Sequence, residues 1–332
     1  MVEFIFKLDI LLTGNIFWVN ASDYNAKGAR LGVLIWPLFL RWLVRSIMNR
    51  FKPTSRSVEF EGEIDVDNVF QHKLIHWANR SKTSRQQSLL REEPLSIRVE
   101  GNPYAVVMRT PGDEIAHVAG FCLTEGIIDT PDDLTSIGFC EDDDTNVVTV
   151  TLTPSRREKI SEILDRRGFI SQSSCGLCGK ELVKDLFQII KPLESNRPIE
   201  MKKALDCLQK LTNIQPLRQQ TLAAHAAAIY GCDLELLTVA EDVGRHNALD
   251  KAIGKIFLTR RLKQADLLIL SSRISYELVQ KSARARIPII LAHSRPTALA
   301  VELAASLNMT LASLDDNDAG LYVFSGEQRL FN

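Results

Sequence analysis

The sequence predicts an α/β protein whose second half holds a mostly parallel sheet flanked by helices. Strand-like and helix-like segments alternate over short connections from about residue 234 to residue 313. Residues 94–167 mix strands with helices, and the composition is that of a globular chain, with 45% hydrophobic and 24% charged residues. Such alternation is typical of right-handed βαβ units. The chain has 332 residues, which is enough for roughly two domains.

The first regular region is predicted to be mixed β/α. Two short strand-like runs enclose Gly101-Asn102-Pro103, a sequence typical of a hairpin turn. Apolar residues recur at helical spacing between Asp113 and Gly126, which predicts a helix there. The predicted strands are Ser96–Val99, Tyr104–Met108 and Val147–Leu152, and a further amphipathic helix is predicted over Ser155–Arg167.

The second region is predicted to carry the parallel sheet. Upstream of it, His225 stands in an apolar, helix-like run, where a lone histidine is more often a hydrogen-bonded core residue than a catalyst. Helices are predicted from about Asn247, from a Ser275 cap to Arg286, and over Thr297–Leu307. The predicted strands are Leu234–Ala240, Leu267–Leu270, Ile287–Leu291 and Met309–Ser313.

Residues 1–85 are predicted to be an extension outside the folded core. Residues 1–56 carry eight Lys and Arg against three Asp and Glu. The uncharged run Leu31–Leu40 is shorter than the roughly 20 apolar residues of a membrane-spanning helix, and contact of residues 1–50 with a membrane surface is the less favoured alternative. Ser81–Ser88 is polar and is predicted to be a linker. The predicted parts are 1–85, an N-terminal β/α part at 86–195 and an α/β part at 196–332.

Charge and cysteine content limit the possible partners and compartments. The net charge of -1 provides no global basic field, so nucleic acid is not an expected partner. Six cysteines are too few for a dense disulfide framework in a chain of this length, and they indicate a reducing cytosol. Four of them have apolar neighbours and are predicted to be small core residues: Cys122, Cys140, Cys207 and Cys232.

The remaining two cysteines form a CxxC pair in the run Ser174–Lys180. Two glycines and no hydrophobic periodicity indicate a surface loop, where sulfur can react. The spacing suits a redox disulfide, half of a zinc site, or a nucleophile with a helper thiol. The chain has no second CxxC that could complete a zinc site. No His-x-Glu precedes the pair, so the signature of the zinc-dependent deaminases is not met. A predicted helix over Lys180–Ile190 would place Cys178 near its positive N-terminus, and that end of the helix and Lys180 would both favour thiolate over thiol.

A second group of candidates follows the predicted sheet strands. Glu241–Lys251 comes just after one strand and opens a helix, and it supplies the cationic side chains Arg245, His246 and Lys251. Arg273 follows the next strand. Because the carboxyl ends of parallel strands share one edge, these side chains are predicted to form an anion cradle there. The alternative is an ordinary helix cap with solvated charges. His293–Thr297, after a third strand, is a further candidate.

Taken together, these motifs resemble the FdhD family of formate dehydrogenase accessory sulfurtransferases. The similarity covers about residues 90–330 and runs in family order. The segments that carry it are Glu93–Val99, Arg109–Asp113, Gly120–Gly126, Ser174–Gly179, Glu241–Lys251 and Pro296–Ala304. The resemblance implies a cytidine deaminase-like fold without its zinc, comprising a mixed or parallel sheet flanked by helices and an additional smaller β/α subdomain.

The resemblance also implies a function. A cytoplasmic, homodimeric protein of this family accepts persulfide sulfur from a cysteine desulfurase. It passes the sulfur to the molybdenum bis(molybdopterin guanine dinucleotide) cofactor, a transient substrate that is then inserted into formate dehydrogenase. The persulfide is implied on Cys175, with Cys178 assisting. A thiol-disulfide oxidoreductase and a non-catalytic chaperone of the cofactor or apoenzyme are the alternatives.

The resemblance implies nucleotide contacts at two places. Arg245, His246, Lys251 and Arg273 are expected to hold the pyrophosphates of the guanine dinucleotides. A family loop near the C-terminus is expected to contact the nucleotide as well, although its usual arginines are replaced here by acidic residues. The loop corresponds to Leu314, Asp315, Asp316, Asn317, Asp318 and Ala319. No metal ligand of the protein's own is expected.

Overall fold

The fold is mixed α/β, with several sheets flanked by helices. All the residues that the structure describes belong to one compact unit. The structure, a computed structural model, describes residues 68–139, 145–167, 190–194, 197–317 and 319–331. No helix in these ranges is both long enough and apolar enough to cross a membrane.

A six-stranded sheet in the order β13-β12-β11-β10-β8-β9 forms the second half. β10, β11 and β12 run parallel, whereas β8 and β13 are antiparallel to their neighbours, so the sheet is mixed. Its strands are β8 (His225–Tyr230), β9 (Leu236–Asp242), β10 (Leu267–Leu270), β11 (Ile289–Ala292), β12 (Thr310–Leu314) and β13 (Leu321–Ser325).

A four-stranded sheet in the order β4-β3-β6-β5 forms most of the first half. It confirms the predicted hairpin around Gly101, because β3 and β4 pair antiparallel across that turn. Its strands are β3 (Glu93–Val99), β4 (Asn102–Arg109), β5 (Leu134–Phe139) and β6 (Val147–Leu152). Two short strands, β7 (Ile199–Glu200) and β14 (Leu330–Phe331), pair parallel with each other.

Helices flank these sheets. They are α1 (Glu114–Thr124), α2 (Pro154–Arg167), α3 (Met201–Lys210), α4 (Pro216–Thr221), α5 (Arg245–Leu258), α6 (Tyr276–Arg284) and α7 (Ala298–Ser306). The helices predicted near Asp113, Ser155, Asn247, Ser275 and Thr297 are thereby confirmed within a few residues at their ends. The helix predicted over Lys180–Ile190 lies almost wholly outside the described residues.

Both faces of the central strands of the six-stranded sheet are buried. Leu268 and Leu270 of β10 face a large core that also includes residues of the four-stranded sheet, whereas Leu267 and Ile269 face a smaller core beneath α3. Successive strand residues point to opposite faces, so a strand with two buried faces is apolar throughout. This explains why the central strands are continuous apolar runs rather than alternating ones.

The closest helix packing in the large core joins α1 and α5. A Cβ atom added to Gly120 of α1 would lie 1.9 Å from the carbonyl oxygen of Asp250. One added to Gly254 of α5 would lie 1.7 Å from the carbonyl oxygen of Ala116. Only glycine fits at both positions. This crossing fixes α5, whose first turn carries Arg245 and His246, against the rest of the core.

A two-stranded antiparallel ribbon precedes the four-stranded sheet. It consists of β1 (Val69–Ala78) and β2 (Ser81–Leu90), joined by a tight turn at Asn79-Arg80. The prediction that Ser81–Ser88 is a linker was wrong, because these residues form most of a strand. Nearly all of β2 is exposed, so the strand lacks the apolar alternation by which a half-buried strand is recognised in sequence.

Two further expectations need correction. His225 lies at the start of a strand rather than in a helix, because the alanine-rich run after it is buried in the centre of the sheet, where packing overrides helix propensity. Cys122 is buried as predicted, but Cys207 is only partly buried and Cys232 is exposed in the turn between β8 and β9. Cys140 lies outside the described residues.

Candidate functional site

One edge of the six-stranded sheet gathers most of the predicted site. β9 runs in the same direction as β10, β11 and β12, so the carboxyl ends of four strands meet there, together with the start of β8. The amide of His293 donates to the carbonyl of Leu270 at 3.1 Å, and the amide of Ser271 donates to that of Ala226, also at 3.1 Å. These bonds tie the loops after β10 and β11 to the sheet edge.

Five basic side chains lie around the start of β8 and form what we call the cationic rim: Arg218, His225, Arg245, His246 and Arg273. Burial lowers the pKa of His225 below its usual value, and the nearby charges of the other four residues lower it further. The imidazole is therefore held neutral near pH 7. The Nδ1 atom of His225 is buried and has no hydrogen-bond partner within the described residues.

The charges of the cationic rim are poorly compensated. Within the described part of the chain, no carboxylate forms an ion pair with Arg245 or Arg273. Arg273 is exposed, and Arg245 is partly buried with its Nε atom lacking a partner there. Unpaired guanidinium groups at a strand edge and beside a helix N-terminus suit a phosphate or another anion.

His246 differs from the arginines because it has partners on α6. Its Nε2 atom lies 3.4 Å from the hydroxyl of Ser275 and 3.8 Å from a carboxylate oxygen of Glu277. The nearby imidazole of His246 is the main cause that lowers the pKa of Glu277 to about 2. Glu277 therefore remains ionised and provides the rim with one negative charge.

Lys251 points away from the cationic rim. Its ammonium is buried, lies 2.8 Å from a carboxylate oxygen of Asp242 and donates to the carbonyl of Thr110 at 2.7 Å. Asp242 also accepts from the amides of Thr110 and Gly244 and from Asn247. The structure therefore does not bring Lys251 together with Arg245, His246 and Arg273. Its charge neutralises Asp242 inside the protein.

Asp250 belongs to a second buried network. Its carboxylate accepts from Lys281 at 2.8 and 2.9 Å and from the hydroxyl of Thr124 at 2.9 Å. Burial raises the pKa of this carboxyl, and the ammonium of Lys281 opposes the rise. The network joins α5 to α1 and α6, so it fixes the helix that carries Arg245 and His246.

Glu241, the first residue of the same motif, anchors α4. Its carboxylate accepts the amides of Leu217 and Arg218, both at 2.9 Å. Arg218 also donates from its guanidinium to the carbonyl of Ala224 at 3.3 Å. Sequence reasoning missed Arg218, because this residue follows no strand and belongs to a short helix. The hydrogen bonds between Glu241 and the start of α4 join residues more than 20 positions apart, so they become visible only in the folded structure.

The acidic loop after β12 is held by hydrogen bonds within the loop and by contacts with Arg295 and Tyr322. Asp315 accepts the amides of Asn317 and Ala319, and Asp316 lies 2.5 Å from Arg295 and accepts from the hydroxyl of Tyr322 at 3.0 Å. Leu314 is the buried last residue of β12, and Asp318 lies outside the described residues. The loop presents carboxylates rather than phosphate-binding donors.

The cysteine pair, Cys175 and Cys178, lies outside the described residues. No group of three or more His, Cys, Asp or Glu side chains in the described ranges could hold a metal ion. The assignment of the persulfide to Cys175 stays a prediction.

The fold and the cationic rim define an α/β protein with an anion-suited sheet edge, and comparison with known proteins gives its family. The sequence model of the FdhD/NarQ family matches residues 90–331. The chain therefore belongs to the FdhD/NarQ family, which confirms the resemblance inferred from its motifs.

Individual relatives agree with this assignment. The sulfur carrier protein FdhD of Streptomyces coelicolor is 37% identical over 275 residues, covering 78% of this chain and 95% of the relative. That of Mycobacterium tuberculosis is 37% identical over 261 residues, covering 74% and 93%. That of Xanthomonas euvesicatoria is 36% identical over 278 residues, covering 84% and 95%.

A solved structure supports the fold. A protein from Desulfotalea psychrophila, described as a formate dehydrogenase accessory protein, superimposes with a TM-score of 0.64 at 22% identity, covering 80% of this chain and 100% of that one. At this identity the likeness concerns the fold alone. The finer expectation of a cytidine deaminase-like arrangement stays a prediction, as do the domain boundaries at 85 and 195.

Proposed function

We propose that this chain is a sulfur carrier that serves formate dehydrogenase. The observation that carries the proposal is the similarity to relatives named sulfur carrier protein FdhD, at 37% identity over 95% of one relative's length. The family match spans Cys175 and Cys178. The chain would act in the cytoplasm as a homodimer, with a cysteine desulfurase as sulfur donor and the apoenzyme of formate dehydrogenase as the final recipient.

The proposed chemistry begins with sulfur uptake by Cys175. Its thiolate attacks the outer sulfur of a persulfide on the desulfurase, the donor sulfur–sulfur bond breaks, and the desulfurase thiolate leaves. Persulfide exchange follows thiol–disulfide rules, so the rate depends on the thiolate fraction and on access. Gly176 and Gly179, each of which follows one of the two cysteines, have no side chain that would obstruct a protein donor. These steps make the protein a sulfurtransferase.

Transfer to the cofactor is the second step. The recipient is the molybdenum bis(molybdopterin guanine dinucleotide) cofactor, which is a substrate here and not a resident group. Cys178 assists by attacking the inner sulfur of the persulfide, which releases hydrosulfide toward the cofactor and leaves a disulfide for a cellular dithiol to reduce.

The cationic rim supports a role in holding this substrate. Arg245, His246 and Arg273 offer donors to the pyrophosphate groups, and Arg218 adds a further guanidinium beside them. Lys251 acts indirectly by neutralising Asp242 beneath the first turn of α5. The loop from Leu314 to Ala319 is left out of the proposed contacts, because its carboxylates repel phosphate.

Mass spectrometry tests the uptake step. After incubation with a cysteine desulfurase and cysteine, the intact protein should gain about 32 Da, the mass of one sulfur atom, as expected for persulfidation. The gain should vanish in Cys175→Ala and persist in Cys178→Ala. Cys232→Ala is the matched control, because Cys232 is an exposed cysteine outside the pair.

Two results would contradict the proposal. Absence of the adduct, together with efficient reduction of a protein disulfide by the CxxC pair, would favour a thiol–disulfide oxidoreductase. An adduct that survives Cys175→Ala, or activation of formate dehydrogenase without either cysteine, would favour a cofactor or apoenzyme chaperone in which the thiols are incidental.

A further inference from the structure

The β1–β2 ribbon, Val69–Leu90, is the feature that the proposed function leaves unused. Its two ten-residue strands pair only with each other in the described part of the chain. The half nearer the turn is largely exposed on both faces. An isolated two-stranded ribbon is marginally stable in water, so an exposed one of this length is expected to have a partner.

The ribbon is strongly basic. It carries Lys73, Arg80, Lys82 and Arg85 and no acidic residue, although the whole chain has a net charge of -1. A local concentration of one sign steers a partner of opposite charge and speeds its association. We call this segment the basic ribbon.

One face of the basic ribbon combines these charges with exposed apolar groups. The strand register places Lys73, Ile75 and Trp77 on the same face, with Lys82 paired opposite Trp77. Ile75 and Trp77 are 58% and 64% exposed. The ammonium of Lys82 lies 4.5 Å from the centre of the Trp77 ring. Exposed aromatic residues beside cations are typical of the central part of a protein interface.

The basic ribbon adjoins the cationic rim through α4. β2 packs against α4, which contains Arg218 of the rim. At the base of the ribbon, the amide of Arg91 donates to the carbonyl of Asn68 at 2.9 Å. A protein bound along the ribbon would therefore lie close to the sheet edge where the rim is formed.

We propose that the basic ribbon binds an acidic surface of the protein that donates sulfur. This inference rests on the proposed function, because it assumes that sulfur arrives from a protein. The exposed aliphatic side chain of Ile75 favours a folded acidic protein surface over a nucleic acid.

Charge reversal on the apolar face tests the proposal. The variant Lys73→Glu/Lys82→Glu is compared with Lys202→Glu/Lys263→Glu, which changes the net charge equally at exposed lysines that are not part of the ribbon. The probe is the cysteine desulfurase with cysteine, and the readout is the initial rate of the persulfide mass gain. We expect the ribbon variant to load about tenfold more slowly at low salt and the control to stay within about twofold. Trp77→Ala, which keeps the charge, should also slow loading.

A small-molecule donor separates this inference from the proposed function. Glutathione persulfide needs no docking surface, so it should load the wild type and both charge variants equally. If neither donor loads the wild type, the proposed function fails. If the desulfurase loads the ribbon variant as fast as the control, or if the ribbon variant also loses loading from glutathione persulfide, the docking proposal is overturned.

A nucleic-acid arm completes the test. Binding of a fluorescein-labelled single-stranded DNA to the wild type is measured by anisotropy at the same salt. We expect no binding that depends on the ribbon. DNA binding that is lost in Lys73→Glu/Lys82→Glu, with unchanged loading by the desulfurase, would overturn the proposal in favour of a nucleic-acid partner.

Discussion

The residues of Glu241–Lys251 divide into two groups that differ in their partners. Asp242, Asp250 and Lys251 point inward, are almost completely buried, and are paired with each other or with neighbouring helices. Arg245 and His246 point toward the sheet edge, where the charge of Arg245 has no carboxylate partner in the described residues. Some polar residues of this motif therefore stabilise the folded protein, and others are placed to bind a ligand.

This difference distinguishes the residues of a motif that stabilise the fold from the residues that bind a ligand. A buried charge is expensive unless it is paired, so the inward groups can be explained by the folded protein alone. Arg245 and Arg273, which have no carboxylate partner among the described residues, are not explained in that way and indicate an external anion. Each prediction below tests one side of this comparison.

The largest effect is expected from breaking the inward ion pair at Asp250. Lys281→Met leaves this carboxylate buried without its cation, and the loss of unfolding free energy should be about 3–5 kcal/mol, measured by urea denaturation. Adding Asp250→Leu removes the stranded charge and should restore much of that loss. Arg273→Ala, at the exposed rim, should change the stability by less than about 0.5 kcal/mol. Equal losses of unfolding free energy in Lys281→Met and Arg273→Ala would contradict the distinction between the buried, paired groups and the exposed rim.

Substitutions in the group that points toward the sheet edge should weaken anion binding and leave the stability unchanged. Arg245→Ala/Arg273→Ala is expected to leave the urea midpoint unchanged and to weaken binding of guanosine diphosphate by at least about tenfold, since a hydrogen bond to a charged group contributes about 1.5–3 kcal/mol. Isothermal titration calorimetry measures the affinity, with Lys202→Ala as the control. Unchanged affinity would show that the cationic rim does not hold pyrophosphate.

His117, a buried residue of α1, provides a pH-dependent test of the buried groups around Lys251 and Lys281. Burial lowers its pKa well below 6.5, and the charges of Lys251, Lys281 and Arg109 lower it further, whereas Asn247 opposes them. The unfolded chain takes up a proton near pH 6.5 while the folded protein does not. The stability of the wild type relative to His117→Leu should therefore fall as the pH is lowered below about 6.5. Urea denaturation of both proteins over this range measures the difference; a constant difference would contradict the assignment.

The smallest effect concerns Glu277, the carboxylate that lies beside His246 of the cationic rim. His246→Gln removes the imidazole that lowers the pKa of Glu277 to about 2, so that pKa should rise toward its usual value. Carbon-detected NMR titration of the Glu277 side chain reports it directly. The associated stability, present above the usual glutamate pKa and lost as the pH falls toward 2, is minor because the group is partly exposed. An unchanged pKa would show that another group lowers it.

Much of this arrangement could be predicted from the sequence, and the failures have physical causes. The buried central strands were predicted because they are short, continuous apolar runs, and most helices were predicted because their apolar residues recur at helical spacing. β8 was mistaken for a helix because its alanine-rich run favours helix locally, and β2 was mistaken for a linker because both its faces are exposed. The edge that unites Arg245 and Arg273 followed from strand order, but the inward orientation of Lys251 did not, since charge type alone does not reveal a buried partner.

The central claim is that sulfur passes through Cys175. The most direct test is complementation of a strain that lacks this protein, with formate dehydrogenase activity as the readout. Wild type and Cys232→Ala should restore activity, and Cys175→Ala should not, although it accumulates to the same level. Restoration of full activity by Cys175→Ala would contradict the account.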